Sequence, residues 1–165
     1  MERDDMSTRM SRVATIVTMA GLMLVAASQS WAQGKGSTDG VRAASKAFYA
    51  ALAVLDDGTA MTKVWAHKPY VTFVGPRSKA IIVGWEAQKK YWEENNKAFA
   101  ERNVSLADSR IHVNGNLAWE MGIETGTAKM QNGTASKVEN FVTGVYERID
   151  GRWLKVSHHA QPKPQ

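Results

Sequence analysis

The chain has 165 residues, of which 44% are hydrophobic and 22% are charged, and these values lie within the ordinary range for one globular domain. Its formal net charge of +5 comes from lysines and arginines spread along the chain, without a long run of either. That distribution favours weak attraction to anionic surfaces and argues against a nucleic-acid partner. There is no cysteine, so the fold must be stabilised by its core without disulfides.

Residues 1–32 have the pattern of an export signal. Three arginines precede an apolar stretch over 13–27, which is too short to span a bilayer comfortably. The small residues Ser30 and Ala32 follow at the positions that a signal peptidase reads, so Gln33 is predicted to be the first mature residue. We therefore expect a periplasmic or secreted protein with no stable membrane anchor after cleavage, with an uncleaved amphipathic anchor as the alternative.

Helical spacing of apolar residues predicts three helices in the first part of the mature chain. After a flexible leader over 33–38, apolar residues at steps of three and four predict a helix over 39–56. A short second helix is predicted before Pro69, with its N-terminus just after an Asp-Gly break. Aromatic residues seven positions apart then predict a third helix over 85–100.

Strand patterns account for most of the remaining chain. Two short β-branched and aromatic runs, 70–74 and 80–83, lie between the second and third helices. Asn-Gly and Asp-Gly dipeptides suited to tight hairpins then separate four long antiparallel strands. These strands are predicted over 102–113, 116–129, 136–149 and 152–160. Together the elements predict an α+β fold in which a curved, mainly antiparallel mixed sheet wraps the helices as a cone with a pocket at its mouth.

The C-terminal hairpin carries the most specific pattern in the chain. Thr143 is followed by an aromatic residue three positions later, an Asp-Gly turn, Trp153, an aliphatic residue and His159. This hairpin resembles that of the SnoaL-like, nuclear-transport-factor-2-like (NTF2-like) and ketosteroid-isomerase-like superfamily, and it is also similar to the association domain of calcium/calmodulin-dependent kinases. Segments 48–52, 65–66 and 74–76 fit the same template. The resemblance implies a cystatin-like cone over 39–160, with a flexible tail over 161–165.

The resemblance does not extend to the catalytic groups of the steroid isomerases. In those enzymes an aspartate base removes a proton while a tyrosine and a protonated aspartate stabilise the oxyanion. The matching positions carry Phe48 for the tyrosine, Phe73 for the base, and Thr143 or Gly144 for the acid. Gly144 also stands where the kinase association domain has an arginine, which counts against a carboxylate-binding pocket of that kind. Any catalysis would be isomerase, cyclase or lyase-like.

Seven side chains are candidate ligand-binding residues of the cone. Tryptophans suit a flat or apolar molecule, and Asn140 and Thr143 can orient a polar substituent. His158 and His159 are adjacent on a strand, so they point to opposite faces. Alternation with aliphatic neighbours turns His158 inward, whereas the resemblance favours His159. The seven candidates are Trp65, Trp92, Trp119, Asn140, Thr143, His158 and His159.

Other polar and aromatic residues are expected at the surface. Glu120, Glu124 and Glu139 can supply a general base if buried, but their alternation with apolar neighbours favours a solvated or oligomer-facing surface. Tyr146 and Trp153 are expected on an outer sheet face that pairs with a second copy as a homodimer. Because the sequence has no metal-ligand spacing and no phosphate-binding Gly-rich loop, we expect neither a metal nor a cofactor.

Two functions of different classes follow from these observations. In the first, the protein binds or transforms an apolar or aromatic small molecule in the cone. In the second, it is a non-catalytic oligomerising module like the kinase association domain. The aromatic residues and convergent polar candidates favour the first, and the missing steroid-isomerase carboxylates count against catalysis.

Overall fold

The computed structural model describes residues 38–164. The predicted export signal and leader lie outside this range, apart from Thr38. Within this range the chain forms three helices, namely α1 over 38–53, α2 over Thr59–Thr62 and α3 over Trp85–Asn96. No helix among the described residues has the length and apolar character needed to cross a membrane.

Two helices end earlier than the sequence pattern predicted. After α1 the chain turns, and the carboxylate of Asp56 accepts hydrogen bonds from the backbone N–H groups of Gly58 and Ala60, both at 2.9 Å. These bonds satisfy backbone donors at the start of α2. The third helix ends at Asn96 because Phe99 already begins a long strand, although Phe99 is in phase with the helical pattern.

Six strands form one mixed sheet in the order β2-β1-β6-β5-β4-β3. Their bounds are Thr72–Val74 for β1, Ile82–Val83 for β2, Phe99–Asn114 for β3, Leu117–Met130 for β4, Ala135–Ile149 for β5 and Arg152–Pro162 for β6. Neighbouring strands are antiparallel except β1 and β6, which are parallel. The predicted α+β fold, with N-terminal helices and a curved, mainly antiparallel sheet, is confirmed.

The sequence pattern predicted that the glutamate side of β4 faces solvent and its apolar side faces the core, and the structure shows the reverse. Side chains of β4 alternate between an inner face, which packs against α1, and an outer face. Glu120 and Glu124 are buried on the inner face, and Tyr49 of α1 bonds to Glu124. The large apolar residues Trp119 and Met121 are exposed on the outer face. The polar side of this strand is therefore the covered side, and the expectation of solvated glutamates is wrong.

A cluster of aromatic rings fills the core beside the inner face. Phe48 of α1 meets the ring of Trp65 edge-on, with centroids 6.1 Å apart. Phe73 of β1 lies between Trp65 and Trp92, at centroid distances of 6.4 and 4.8 Å. The guanidinium of Arg102 links its own strand, β3, to helices α1 and α3. It donates one hydrogen bond to the carbonyl of Leu52 in α1 and one to the side chain of Asn96 in α3, both at 2.7 Å.

Two irregularities in strand pairing redirect side chains toward the inner face. On β3, where Asp108 has a φ of 52°, the register shifts and the hydroxyl of Ser109 reaches Glu120. On β6 an extra residue is accommodated, because Val145 pairs with Ser157 whereas Tyr146 pairs with Lys155. Such bulges locally reverse the alternation of side chains.

The bulge on β6 corrects the prediction for the outer face. Past the bulge, Trp153 turns inward and packs so closely on α1 that a Cβ added at Gly40 would lie 2.8 Å from its ring. Tyr146 is completely buried and packs with Val41 and Ala118. Neither aromatic residue lies on an outer surface that is free to pair with a second copy.

Candidate functional site

A group of polar and ionisable side chains lies buried between α1 and the inner face of the sheet. Helix α1 contributes one of them, β4 two, β5 two and β6 two. We call this group the inner polar cluster; it consists of Tyr49, Glu120, Glu124, Asn140, Tyr146, Lys155 and His158. Strand register aligns its members, because Glu120, Gly144 and His158 lie side by side across β4, β5 and β6.

Glu124 is held by donors from three elements. Its Oε1 accepts a hydrogen bond from the hydroxyl of Tyr49 at 3.2 Å and lies 3.4 Å from Nε2 of His158. Its Oε2 accepts from the side-chain amide of Asn140 at 3.0 Å. The side chain is almost completely buried, and this burial raises the pKa of Glu124 although its hydrogen bonds and Lys155 act in the opposite direction. Glu124 is therefore a stronger proton acceptor than a solvated glutamate.

Glu120 is held separately by two hydroxyl groups. Tyr146 donates to its Oε2 at 2.9 Å, and Ser109 donates to its Oε1 at 2.6 Å. Burial, reinforced by the neighbouring glutamates, raises the pKa of both Tyr49 and Tyr146 well above the usual tyrosine value. Each carboxyl group thus faces a tyrosine that remains protonated and donates a hydrogen bond.

Lys155 is a buried cation between these two carboxyl groups, with only 1% of its surface exposed. Its Nζ lies 4.0 Å from the ring centroid of Phe48 and 4.6 Å from that of Tyr146. No carboxylate oxygen of the described residues lies within 4.0 Å of this atom. Burial lowers the pKa of Lys155 to about 8, against the opposing influence of Glu120 and Glu124.

His158 completes the cluster as a neutral imidazole. Burial, followed by the charge of Lys155, holds the pKa of His158 well below its usual value. Its ring stacks on Phe73, with centroids 5.4 Å apart and planes 10° apart. Its Nδ1 has no hydrogen-bond partner among residues 38–164. When Nε2 donates to Glu124, Nδ1 is left as an acceptor.

Only some of the seven predicted ligand-binding residues lie in the inner polar cluster. Asn140 and His158 belong to the inner polar cluster, so strand alternation gave the correct orientation for the two adjacent histidines. Thr143 and His159 pair with each other on the outer face. Trp119 also lies there, 40% exposed and stacked on His112 at 4.2 Å, so its expected place in the cone is corrected.

Trp65 and Trp92 lie inside the cone, in the aromatic core next to the cluster. Each has a buried indole N–H without a hydrogen-bond partner among the described residues. Glu139, in contrast to the other two glutamates, lies on the outer face, with oxygens 3.3 Å from Nζ of Lys137 and 2.8 Å from that of Lys163. Only this glutamate has the solvated position that the pattern favoured.

Sequence reasoning missed Tyr49, Tyr146 and Lys155 as interior groups. One signal was available, because the small residue Ala118 alternates in phase with the two buried glutamates. It is completely buried and packs with Val41 of α1, so it marks the covered face. The phase of Lys155 could not be found in this way, because it depends on the bulge in β6.

The cluster is suited to binding and proton transfer. Its carboxyl, amine, imidazole and phenol groups are close together in a region shielded from water, where electrostatic interactions are strong. Among residues 38–164 there is no group of three or more histidine, cysteine, aspartate or glutamate side chains able to hold a metal ion.

Comparison with known proteins agrees with the fold. The family model described as the SnoaL-like domain matches residues 41–161, and no curated protein matches the chain. A candidate dehydratase of the NTF2-like family from Streptomyces avermitilis has a TM-score of 0.71 at 19% identity, covering 79% of this chain and 99% of its own.

Two further solved structures are kinase association domains. A candidate calcium/calmodulin-dependent protein kinase II association domain from Xanthomonas campestris has a TM-score of 0.65 at 25% identity, covering 76% of this chain and 86% of its own. The association domain of C. elegans CaMKII has a TM-score of 0.60 at 17% identity, covering 78% and 98%. The fold is that of NTF2-like proteins, and because the family model covers most of the sequence, the chain belongs to the SnoaL-like domain family.

Proposed function

We propose that this protein binds an apolar or aromatic small molecule carrying a polar group, inside the cone and beside the inner polar cluster. The observation that supports this proposal is the burial of Glu120, Glu124, Lys155 and His158, which are 1–4% exposed. Buried ionisable groups cost stability relative to apolar residues of similar size. A core that served stability alone would not need them, and such groups are typical of functional sites.

Proton transfer to or from the bound molecule is the reaction that these groups favour. The pKa of Glu124 is raised and that of Lys155 is lowered, so both move toward neutral pH, where general acid–base catalysis is most effective. The candidate dehydratase among the similar structures supports a lyase-like or isomerase-like reaction of this kind.

Thermal denaturation with a panel of aromatic, steroid-like and polyketide-like compounds tests the proposal. A ligand that binds the folded state raises the midpoint in proportion to the logarithm of its excess over Kd. We expect His158→Ala to abolish this rise and His159→Ala, its neighbour on the outer face, to preserve it. If no compound raises the midpoint, or if both variants respond alike, the proposal is wrong.

A second candidate function, self-association, is favoured by the outer face. We call the exposed apolar surface across β4 and β5 the outer apolar patch; it consists of Leu117, Trp119, Met121 and Phe141. Phe141 adjoins the β4 members of the patch, because it pairs with Ile123, which lies two residues from Met121 on the same strand. Continuous exposed apolar surface is typical of interaction sites. We propose that two copies pair through this patch, and this role is compatible with ligand binding in the cone.

Export is the third part of the proposal and rests on the sequence of residues 1–32. Cleavage after Ala32 would give a mature chain beginning near Gln33. N-terminal sequencing of protein recovered from the periplasm tests this expectation. A full-length N-terminus in that material would contradict cleavage.

A further inference from the structure

We propose that the amine of Lys155 forms a Schiff base with a carbonyl group of the bound molecule, so that the ligand class is an aldehyde or a ketone. The inference rests on the proposed function and deepens it, because it requires that a small molecule enters the cone. It assigns a covalent role to one side chain of the inner polar cluster and names the functional group that the ligand must carry.

The first observation is that Lys155 forms no direct ion pair with any carboxylate of residues 38–164. Its Nζ lies on the ring faces of Phe48 and Tyr146, at 4.0 and 4.6 Å from their centroids. A lysine held by a carboxylate remains an ammonium ion, which has no lone pair with which to attack a carbonyl carbon. Burial without a carboxylate partner favours the neutral amine, as it does for Schiff-base lysines.

Burial therefore makes free amine available under mild conditions. The pKa of Lys155 falls from 10.5 to about 8. At pH 7 about a tenth of its amine is unprotonated, which is about 300 times the fraction for a lysine with the ordinary pKa. Compared with the solvated lysines of the same chain, Lys155 therefore has the larger fraction of free amine near neutral pH.

The second observation is the close approach of two side chains to the backbone of Gly144. A Cβ added at this glycine would lie 2.8 Å from Nζ of Lys155 and 3.5 Å from the hydroxyl oxygen of Tyr146. The amine and the hydroxyl therefore lie together against a residue without a side chain, and any other residue at position 144 would displace the amine. Glu120 and His158 flank Gly144 on the adjacent strands. A nucleophile, a proton donor and two proton acceptors thus surround one point.

The reaction balances without a further reagent. The ammonium of Lys155 first loses a proton, and the nitrogen lone pair then forms a bond to the carbonyl carbon. The carbonyl oxygen takes up a proton from the Tyr146–Glu120 pair, whose oxygens are 2.9 Å apart, and gives a carbinolamine hydroxyl. The first N–H proton of the carbinolamine nitrogen returns to the Tyr146–Glu120 pair. The second leaves with the hydroxyl as water while the nitrogen lone pair forms the C=N bond. One carbonyl group and one amine give one imine and one water molecule.

Pentane-2,4-dione is a suitable probe for the full-length protein, because this small diketone gives a stable enaminone with an unprotonated lysine. We expect new near-ultraviolet absorbance and a mass increase of one diketone less one water. Peptide mapping of the wild-type protein should place the adduct on Lys155. Lys155→Met should abolish the adduct, and Lys46→Met, a matched change on the exposed side of α1, should preserve it.

The pH profile and a steric variant sharpen the test. The rate of adduct formation should level off above about pH 8, whereas reaction at solvated lysines continues to increase toward pH 10. Gly144→Ala should slow the reaction at least tenfold, because the added Cβ displaces Nζ. Absence of an adduct over pH 7–9, or an adduct on another lysine, would overturn the inference. A ligand that raises the thermal midpoint without forming an adduct would overturn the covalent step alone and leave the binding function intact.

Discussion

Glu124 and His158 form a pair in which burial favours the uncharged state of both partners. Their atoms Oε1 and Nε2 are 3.4 Å apart, and both side chains are almost completely inaccessible. Burial raises the pKa of the carboxyl group and lowers that of the imidazole. At neutral pH this pair therefore interacts less as an ion pair than as neighbouring hydrogen-bonding groups.

Glu124→Gln should stabilise the protein at neutral pH by about 1 kcal/mol, because the amide cannot ionise in the interior. A raised pKa in the folded state means that this group contributes stability below its unfolded pKa, near 4.5, and that the contribution is lost as pH increases through the folded pKa. Urea denaturation from pH 4 to 8 measures the effect. Glu139→Gln on the outer face is the control, and an equal gain there would contradict the explanation.

Lys155→Met should change the pH dependence of stability in the alkaline range. The folded state binds fewer protons than the unfolded state between about pH 8 and 10.5, so the wild-type protein gains stability there as pH increases. The stability of wild type relative to Lys155→Met should therefore rise by about 2 kcal/mol from pH 8 to 10. Denaturation of both proteins at the two pH values tests this, and a constant difference would contradict it.

Alternation along β6 indicated that His158 faces inward, whereas the resemblance favoured His159, and the structure agrees with alternation. Alternation did not identify the charged interior. The sequence shows that Glu120 and Glu124 share a face with each other. It does not show that α1 covers this face, because covering depends on the packing of elements distant in sequence. A strand with apolar residues on one side and glutamates on the other is ordinarily oriented the other way.

Close contact between β3 and β4 depends on a glycine at position 126. Its φ is 153°, and a Cβ there would lie 1.9 Å from the carbonyl oxygen of Asn103, so another residue cannot fit without movement of the backbone. Gly126→Ala should destabilise the protein by about 3 kcal/mol or more. Gly133→Ala, in the open turn after β4, should cost about 1–2 kcal/mol through its positive φ alone. Equal losses in urea denaturation would contradict the steric explanation.

The elements themselves were largely predictable, and their irregularities were not. Asn-Gly and Asp-Gly dipeptides located the hairpins between the four long strands, because these turns need residues that tolerate positive φ. The bulge at Asp108 in β3 and the bulge in β6 opposite Tyr146 leave no comparable signal in the sequence, since they arise from the register between strands. The orientation of Trp153 and Lys155 follows from the second bulge, so it could not be predicted from alternation.

The inner and outer faces of the sheet differ in chemical character, and each favours a different kind of interaction. The inner face holds ionisable groups next to a core of aromatic rings. The outer face exposes Trp119, Met121 and Phe141 to solvent. A sheet with ionisable groups on its inner face and apolar residues on its outer face is consistent with the proposed ligand binding in the cone and with the proposed association through the outer face.

Met121→Glu should weaken the proposed homodimer about 100-fold, because a charge would be buried at the centre of the outer apolar patch. Met121 is 54% exposed, so the folded monomer should lose little stability. Sedimentation equilibrium at micromolar concentration measures the change. Val54→Glu, at an exposed apolar position outside the patch, is the matched control. A monomeric wild-type protein would contradict the proposed pairing.

The parallel pairing of β1 with β6 has a consequence for the order of folding. The hydrogen bond between Thr72 and Ser157 spans 85 positions in the chain, whereas β3 to β6 pair with their immediate neighbours through hairpins. Local hairpins form faster than contacts distant in sequence. The contact between Tyr49 of α1 and Glu124 likewise spans 75 positions. We therefore expect the meander to assemble while its inner glutamates and Lys155 are still hydrated, and α1 to close over them later.

The same order of assembly suggests how the proposed ligand would enter the cone. Dehydration of the inner polar cluster opposes the final closure, so the same groups lower the free energy needed for α1 to open again. Local opening of the native state would hydrate the charges and expose the cone without unfolding the meander. Native-state hydrogen exchange should accordingly show earlier exchange in α1 than in β4 and β5, and a ligand in the cone should slow exchange in α1 most.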